Sequence, residues 1–170
     1  MAAMLFEKAV AQGDPGAMYD LAIMYENGQG VAQSYTKSAE LYTMAAEQGY
    51  IKAMYNLGNG YRDGQGVEKS FKKAAELYTM AADQGQVNAM YDLANMYRKG
   101  MGVVQSLEKA VELYTMAAEK GDLGAMNNLG CMYRDGQGVV QSFKKAAELY
   151  TMAVEQGSAS AMNNLGVMYE

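Results

Sequence analysis

The chain contains no histidine. Without it, a Ser-His-Asp triad and a histidine-ligated metal are both excluded. Cysteine occurs once, at Cys131, so no intrachain disulfide can form. No base accompanies that thiol in the sequence, and Cys131 reads as a small residue on a variable surface rather than a nucleophile. Positive charge is in deficit: 14 Lys and Arg against 19 Asp and Glu give a net charge of -5, which argues against a nucleic-acid partner. No apolar run approaches the roughly 18 residues of a membrane span. The start, MAAMLFEKAV, lacks the basic stretch and long apolar core of a secretory leader. No G-x-x-x-x-G-K-[ST] loop occurs. These absences predict a soluble, cytoplasmic protein with no cofactor, no metal and no membrane partner.

What the chain has is repetition. It is 170 residues long, half of them hydrophobic and 19% charged, a composition that folds rather than staying disordered. The stretch KKAAELYTMA occurs at Lys72–Ala81 and again, unchanged, at Lys144–Ala153. KSAELYTMA at Lys37–Ala45 and KAVELYTMA at Lys109–Ala117 are near-copies. Leu41, Leu77, Leu113 and Leu149 recur every 36 residues, and Leu5 lies one period earlier. A fixed period of this size means a repeat array. The stretch is rich in Ala, Glu, Leu, Met and Lys, all good helix formers. Ala39, Tyr42, Ala45 and Ala46, with Leu41 beside them, make one apolar face at helical period. Ser34, Ser70, Ser106 and Ser142 stand where an N-cap hydroxyl is wanted. Gly49, Gly85, Gly121 and Gly157 stand where a left-handed residue closes a helix. A helix from about Ser34 to Gln48, here the B-helix, is therefore predicted in each period.

Between B-helices runs a second conserved segment. GAMYDLAIMYENG begins at Gly16 and returns as KAMYNLGNGYRDG, NAMYDLANMYRKG, GAMNNLGCMYRDG and SAMNNLGVMYE. Its constant residues, Ala17, Met18, Leu21, a small residue at 22, Tyr25 and their equivalents, form the packing face of an A-helix. Asp14 and Pro15 read as N-cap and first helical residue. The loop that follows is Gly28–Val31, Gly64–Val67, Gly100–Val103 or Gly136–Val139, two glycines flanking one residue before a valine. It predicts a positive-φ turn, with the valine plugging the gap between paired helices. Helices joined by short loops and repeated give an all-α, α/α superhelical solenoid of helix-turn-helix repeats. The expected organisation is one repeat domain over residues 1–170. It has a partial B-helix at 1–13, four repeats at 14–49, 50–85, 86–121 and 122–157, and an A-helix at 158–170.

The pattern A-x-x-x-L-G-x-x-Y, then G-x-G-V, then K-A-x-x-x-Y-x-x-A-A-x-x-G resembles the Sel-one-like repeat, a relative of the tetratricopeptide repeat. Residues 53–85 carry it best, through Ala53, Leu57, Gly58, Tyr61, Gly64, Gly66, Val67, Lys73, Ala74, Tyr78, Ala81, Ala82 and Gly85. Ala32, Glu68, Val104 and Val140 stand where that family often has proline, and the serine caps stand where it often has aspartate. The resemblance implies a scaffold or adaptor for a protein partner, with a concave surface built largely from A-helices.

Candidate binding residues are the A-helix positions that vary while the packing residues do not. They are Tyr55, Asn56, Asn59, Arg62, Tyr91, Asp92, Asn95, Arg98, Asn128 and Arg134. Asn59 and Asn95 resemble the tetratricopeptide asparagines that grip a peptide backbone, since an amide donates and accepts at once. Arg62, Arg98 and Arg134 form a ladder able to meet carboxylates in bidentate fashion, or alternatively to pair with Asp63 and Asp135. Glu26 and Glu170 take the arginine slot in the outer repeats. The methionines at 18, 54, 90, 126 and 162, and those at 44, 80, 116 and 152, are expected to fill the core. Glu40, Glu76, Glu112 and Glu148 read as a solvated ladder rather than catalytic pairs. The predicted function is protein or peptide binding, without enzymatic activity. The alternative is a structural piece of a longer or consensus-like designed array, suggested by residues 64–81 and 136–153 differing only at Glu68/Val140 and Lys69/Gln141. The faces carrying Leu5, Phe6 and Ala9 and carrying Ala161, Met162, Leu165 and Tyr169 predict a possible head-to-tail self-association.

Overall fold

The computed structural model describes residues 2–168, so Met1, Tyr169 and Glu170, including the packing and ladder roles expected of the last two, lie outside it. Among the described residues there are ten α-helices and no strand, an all-α repeat fold. They fall into two compact units, Met1–Gln86 and Val87–Glu170. In the first unit α1 (Ala2–Ala11), α2 (Pro15–Asn27), α3 (Tyr35–Glu47), α4 (Ile51–Asp63) and α5 (Phe71–Asp83) each pack on their neighbours in sequence. In the second, α6 (Val87–Lys99), α7 (Leu107–Glu119), α8 (Leu123–Asp135), α9 (Phe143–Glu155) and α10 (Ala159–Val167) do the same.

The capping chemistry is where the sequence put it. Ser34, Ser70, Ser106 and Ser142 have extended backbones, and their hydroxyls accept from the N–H of Lys37, Lys73, Lys109 and Lys145. Asp14 accepts from Gly16 and Ala17, with Pro15 opening the helix behind it. The loop glycines Gly28, Gly64 and Gly136 close their helices in the left-handed region. Val31, Val67, Val103 and Val139 are half-buried behind these loops. Gly66 is held by more than its φ of 73°. A Cβ there would run into the Tyr35 carbonyl at the start of α3, so the loop of one repeat touches the backbone of the one before.

The core is made of the constant positions. Ala17, Met18, Leu21 and Ala22 are buried, as are Ala53, Met54, Leu57 and Gly58 one repeat on. Tyr42, Tyr78, Tyr114 and Tyr150 are buried opposite them on the B-helices. Small residues at position 22 and its equivalents make room for these rings: a Cβ on Gly58 or Gly130 would meet the Tyr78 or Tyr150 ring at 2.6 Å. Four lysines have a constant role. Lys37, Lys73, Lys109 and Lys145 lie 4.9–5.0 Å over the rings of Tyr25, Tyr61, Tyr97 and Tyr133, a cation–π contact within each pair.

Three expectations are corrected. Met18, Met54, Met90 and Met126 are core, but Met44, Met80, Met116 and Met152 are 42%, 49%, 44% and 48% exposed. Each sits two residues after the buried tyrosine, which is more than half a turn round the helix and so on the outer side. Met162 is also exposed. Leu77, Leu113 and Leu149 are half-buried rather than buried, because the face centres on the neighbouring tyrosine and alanines. Cys131, read as a surface residue, turns toward Tyr150.

Candidate functional site

Each buried B-helix tyrosine brings a hydroxyl into an apolar core, and such a group needs a partner. The A-helix supplies it. Tyr78 donates to Asn59 Oδ1 and Tyr114 to Asn95 Oδ1, both at 2.7 Å, each reaching back 19 residues. In the same register Tyr150 donates to Cys131 Sγ at 3.2 Å. Ile23 offers no acceptor at this position, and there Tyr42 donates instead to Glu26 Oε2 at 2.7 Å. The following A-helix completes the hydroxyl from the other side. Asn56 Nδ2 donates to Tyr42 at 3.0 Å, and Asn128 Nδ2 to Tyr114 at 3.2 Å. Asn164 Nδ2 reaches Asn127 Oδ1 and Cys131 Sγ.

Two of the candidate asparagines thus have their amide oxygens engaged inside the fold. Asn95 also donates to the Tyr91 carbonyl, four residues back on its own helix. All the amides considered remain half-buried rather than sealed. Tyr55 and Tyr91 lie tilted against Tyr78 and Tyr114, with ring centroids 5.7 and 5.9 Å apart. Asp92 is half-buried on α6.

Burial pushes the hydroxyl pKa up for Tyr42, Tyr114 and Tyr150. The Glu26 and Cys131 bonds push in the same direction for Tyr42 and Tyr150. At Tyr114 the nearby Arg98 guanidinium and the Asn128 amide oppose the shift.

The three arginines separate into two kinds. Arg62 forks onto Asp63, with Nε and Nη2 each taking one oxygen at 2.8 Å. Arg134 does the same with Asp135 at 2.7 and 3.0 Å. These bonds hold both aspartates below the usual carboxylate range. Arg98 is followed by Lys99 and has no such fork. Its Nε is shielded from solvent and makes no hydrogen bond. The fork of Arg62 and Arg134 was legible as an alternative in the sequence. The tyrosine hydroxyls were missed, because tyrosine counted as apolar there. The signal was available: a tyrosine invariant in a buried face implies a fixed acceptor, and Asn59 and Asn95 recur at constant distance from it.

Among the described residues no cluster of three or more Cys, Asp or Glu is placed to hold a metal ion. No described helix is long and apolar enough to cross a membrane. The Sel1 repeat model matches residues 1–14, 15–50, 51–86, 87–122, 124–158 and 159–170. Among solved structures, the chain is similar to a protective antigen present in uropathogenic Escherichia coli strains and displaying an SLR fold. The TM-score is 0.96 at 32% identity, covering 98% of this chain and 36% of that one. It is similar to a Sel1 repeat protein from Oxalobacter formigenes, with TM-score 0.90 at 33% identity over 94% of this chain and 65% of that one. The chain thus spans less than two thirds of either relative. Helicobacter pylori cysteine rich protein B shares the fold, with TM-score 0.61 at 24% identity over 78% of this chain and 98% of that one. No curated protein matches the chain. The repeat period, the constant packing residues and a family match running through every helix pair agree, and the chain belongs to the Sel1 repeat family.

Proposed function

We propose that the chain is a protein-binding module that takes an extended segment of a partner on its A-helix faces. Sel1 repeat proteins generally mediate protein–protein interaction, and the fold is typically a non-catalytic scaffold. The observation that carries the reading is the division of labour within each helix pair. Ala, Met, Leu and Tyr positions are spent on packing and recur. The A-helix positions around them are less constant: Asn59 and Asn95 give way to Ile23, Cys131 and Val167 in the other repeats, and Arg62, Arg98 and Arg134 give way to Glu26. In the first unit those positions are Tyr55, Asn56, Asn59 and Arg62. In the second they are Tyr91, Asp92, Asn95, Arg98, Asn128 and Arg134. The amides keep donor capacity beyond the tyrosine bonds, as the two hydrogens of each Nδ2 allow.

The test is a selection of random peptides displayed on messenger RNA against the full chain, with affinities of the winners measured by calorimetry. Alanine at Asn59 and Asn95 would strand two buried hydroxyls, so the informative variant also removes those hydroxyls: Asn59→Ala, Tyr78→Phe, Asn95→Ala, Tyr114→Phe. Winners weakened at least tenfold by a variant that melts cooperatively support the face. No selectable peptide, or winners indifferent to the variant, would overturn it.

A further inference from the structure

We propose that a crevice between α2, α3 and α4, in the first unit, is a binding site for a primary ammonium group. The site goes beyond the partner-face reading and does not depend on it, because the ammonium can arrive free or on a peptide. Glu26, Ser38, Tyr42, Asn56, Gly60 and Gln65 line the crevice, which has room for about one water-sized group. Three of these residues depart from the repeat together. Two periods on, in the second unit, Arg98, Ala110 and Met132 stand where Glu26, Ser38 and Gly60 stand. Met132 is fully buried there, and Ala110 with it. Gly60 puts no side chain into the equivalent space, Ser38 adds a hydroxyl, and Glu26 replaces a cation with an anion. The three changes meet in one crevice and turn a filled, cationic corner into an open, anionic one.

The oxygens lining this crevice are short of donors. Ser38 is 3% exposed, and its hydroxyl makes no hydrogen bond among the described residues. A buried hydroxyl without a partner costs free energy that a ligand returns on binding. Glu26 Oε2 accepts from the Tyr42 hydroxyl at 2.7 Å. Among the described residues nothing bonds the other carboxylate oxygen, and Glu26 has no ion pair. Asn56 Nδ2 donates to the same tyrosine at 3.0 Å, which leaves its Oδ1 unbonded. Tyr42 thus orients both side chains and spends its own donor doing so. A ligand that suits these oxygens carries positive charge and several N–H donors on a compact head, which describes a primary ammonium. A guanidinium is a broad planar fork and exceeds the space. A quaternary ammonium has no N–H to give Ser38. A hard divalent metal wants a fuller oxygen shell than a single carboxylate and its neutral neighbours supply.

The experiment titrates the isotope-labelled full chain with methylammonium chloride at constant ionic strength and follows backbone amides by NMR. The expected result is saturable shifts confined to the amides around Ser38 and Gly60. Glu26→Gln keeps an acceptor for Tyr42 but removes the charge, and it should weaken binding about tenfold. Ser38→Ala and Gly60→Met each install the residue of the second unit, and each should weaken it by a similar factor or more. Should Gly60→Met fail to fold, the other two variants still decide. Glu47→Gln, an exposed carboxylate at the far end of α3, should change nothing. Competition by Nα-acetyl-lysine amide and by glycinamide tells a lysine side chain from a peptide amino terminus. Displacement by either supports the site and names its source. Displacement by neither overturns it, since no ammonium on a longer stem would then enter. The absence of saturable shifts overturns it as well. So does equal binding of tetramethylammonium or potassium, or binding that survives both Glu26→Gln and Ser38→Ala unchanged.

Discussion

The partners of a buried hydroxyl decide what a substitution at the A-helix costs. Removing Asn95 leaves the Tyr114 O–H in the core without its acceptor. The penalty for one stranded polar group is about 1–3 kcal/mol, whereas removing both partners approaches neutrality. Asn95→Ala should therefore destabilise by about that amount in urea unfolding, and adding Tyr114→Phe should restore most of it. A double variant as unstable as the single would show that the bond is incidental. The same tyrosines set the alkaline limit. Burial raises the pKa of Tyr42, Tyr114 and Tyr150 above the ordinary 10.0. Above pH 10 the unfolded chain loses these protons while the folded one keeps them. Stability is thus fully present below pH 10 and falls as pH rises beyond it, by at most about 1.4 kcal/mol per pH unit for each tyrosine. Tyr114→Phe should flatten that slope, measured by denaturant midpoints between pH 9 and 11. An unchanged slope would mean that the hydroxyl titrates normally.

Helices and their loops were the most legible level of the sequence, because their signals are local. Ser70 and Gly64 declare a helix start and a helix end through backbone chemistry that acts within a few residues. The tyrosine-to-asparagine bonds were not legible in the same way, since each joins two helices across 19 residues and needs the pair already packed. The outward methionines were misread because a repeated apolar residue looks the same on either side of a helix until the face is centred. Gly66 belongs to both levels. Its positive φ follows from the G-x-G pattern, but its contact with the Tyr35 carbonyl, in the preceding repeat, does not. Gly66→Ala should cost about 1–3 kcal/mol for the left-handed backbone alone. The carbonyl clash should raise that further, since backbone rather than a flexible side chain must yield. By contrast Gly49→Ala, with the same sign of φ but open space around the Cβ, should cost only the backbone term. Equal midpoints for the two variants in thermal unfolding would remove the close approach from the account.

At the scale of the whole molecule, a repeat protein holds together through neighbour contacts rather than one centre. Within the first unit, α2 touches α1 and α3, and α4 touches α3 and α5. A side chain's contribution therefore depends on how many of those interfaces enclose it. Leu57 on α4 is 5% exposed and Leu5 on α1 is 63% exposed. Leu77 on α5 lies between them. Leu57→Ala should cost about 2–5 kcal/mol, the range for a leucine enclosed on all sides. Leu5→Ala should stay within about 0.5 kcal/mol, as for a surface substitution. Leu77→Ala should fall between the two, for all that Leu77 recurs at the 36-residue period. Urea unfolding of the three variants orders them directly. If Leu77→Ala matches Leu57→Ala, the half-exposed position carries more of the interface than its burial shows. If Leu5→Ala costs as much as either, α1 is bound more tightly than a helix without a buried residue should be.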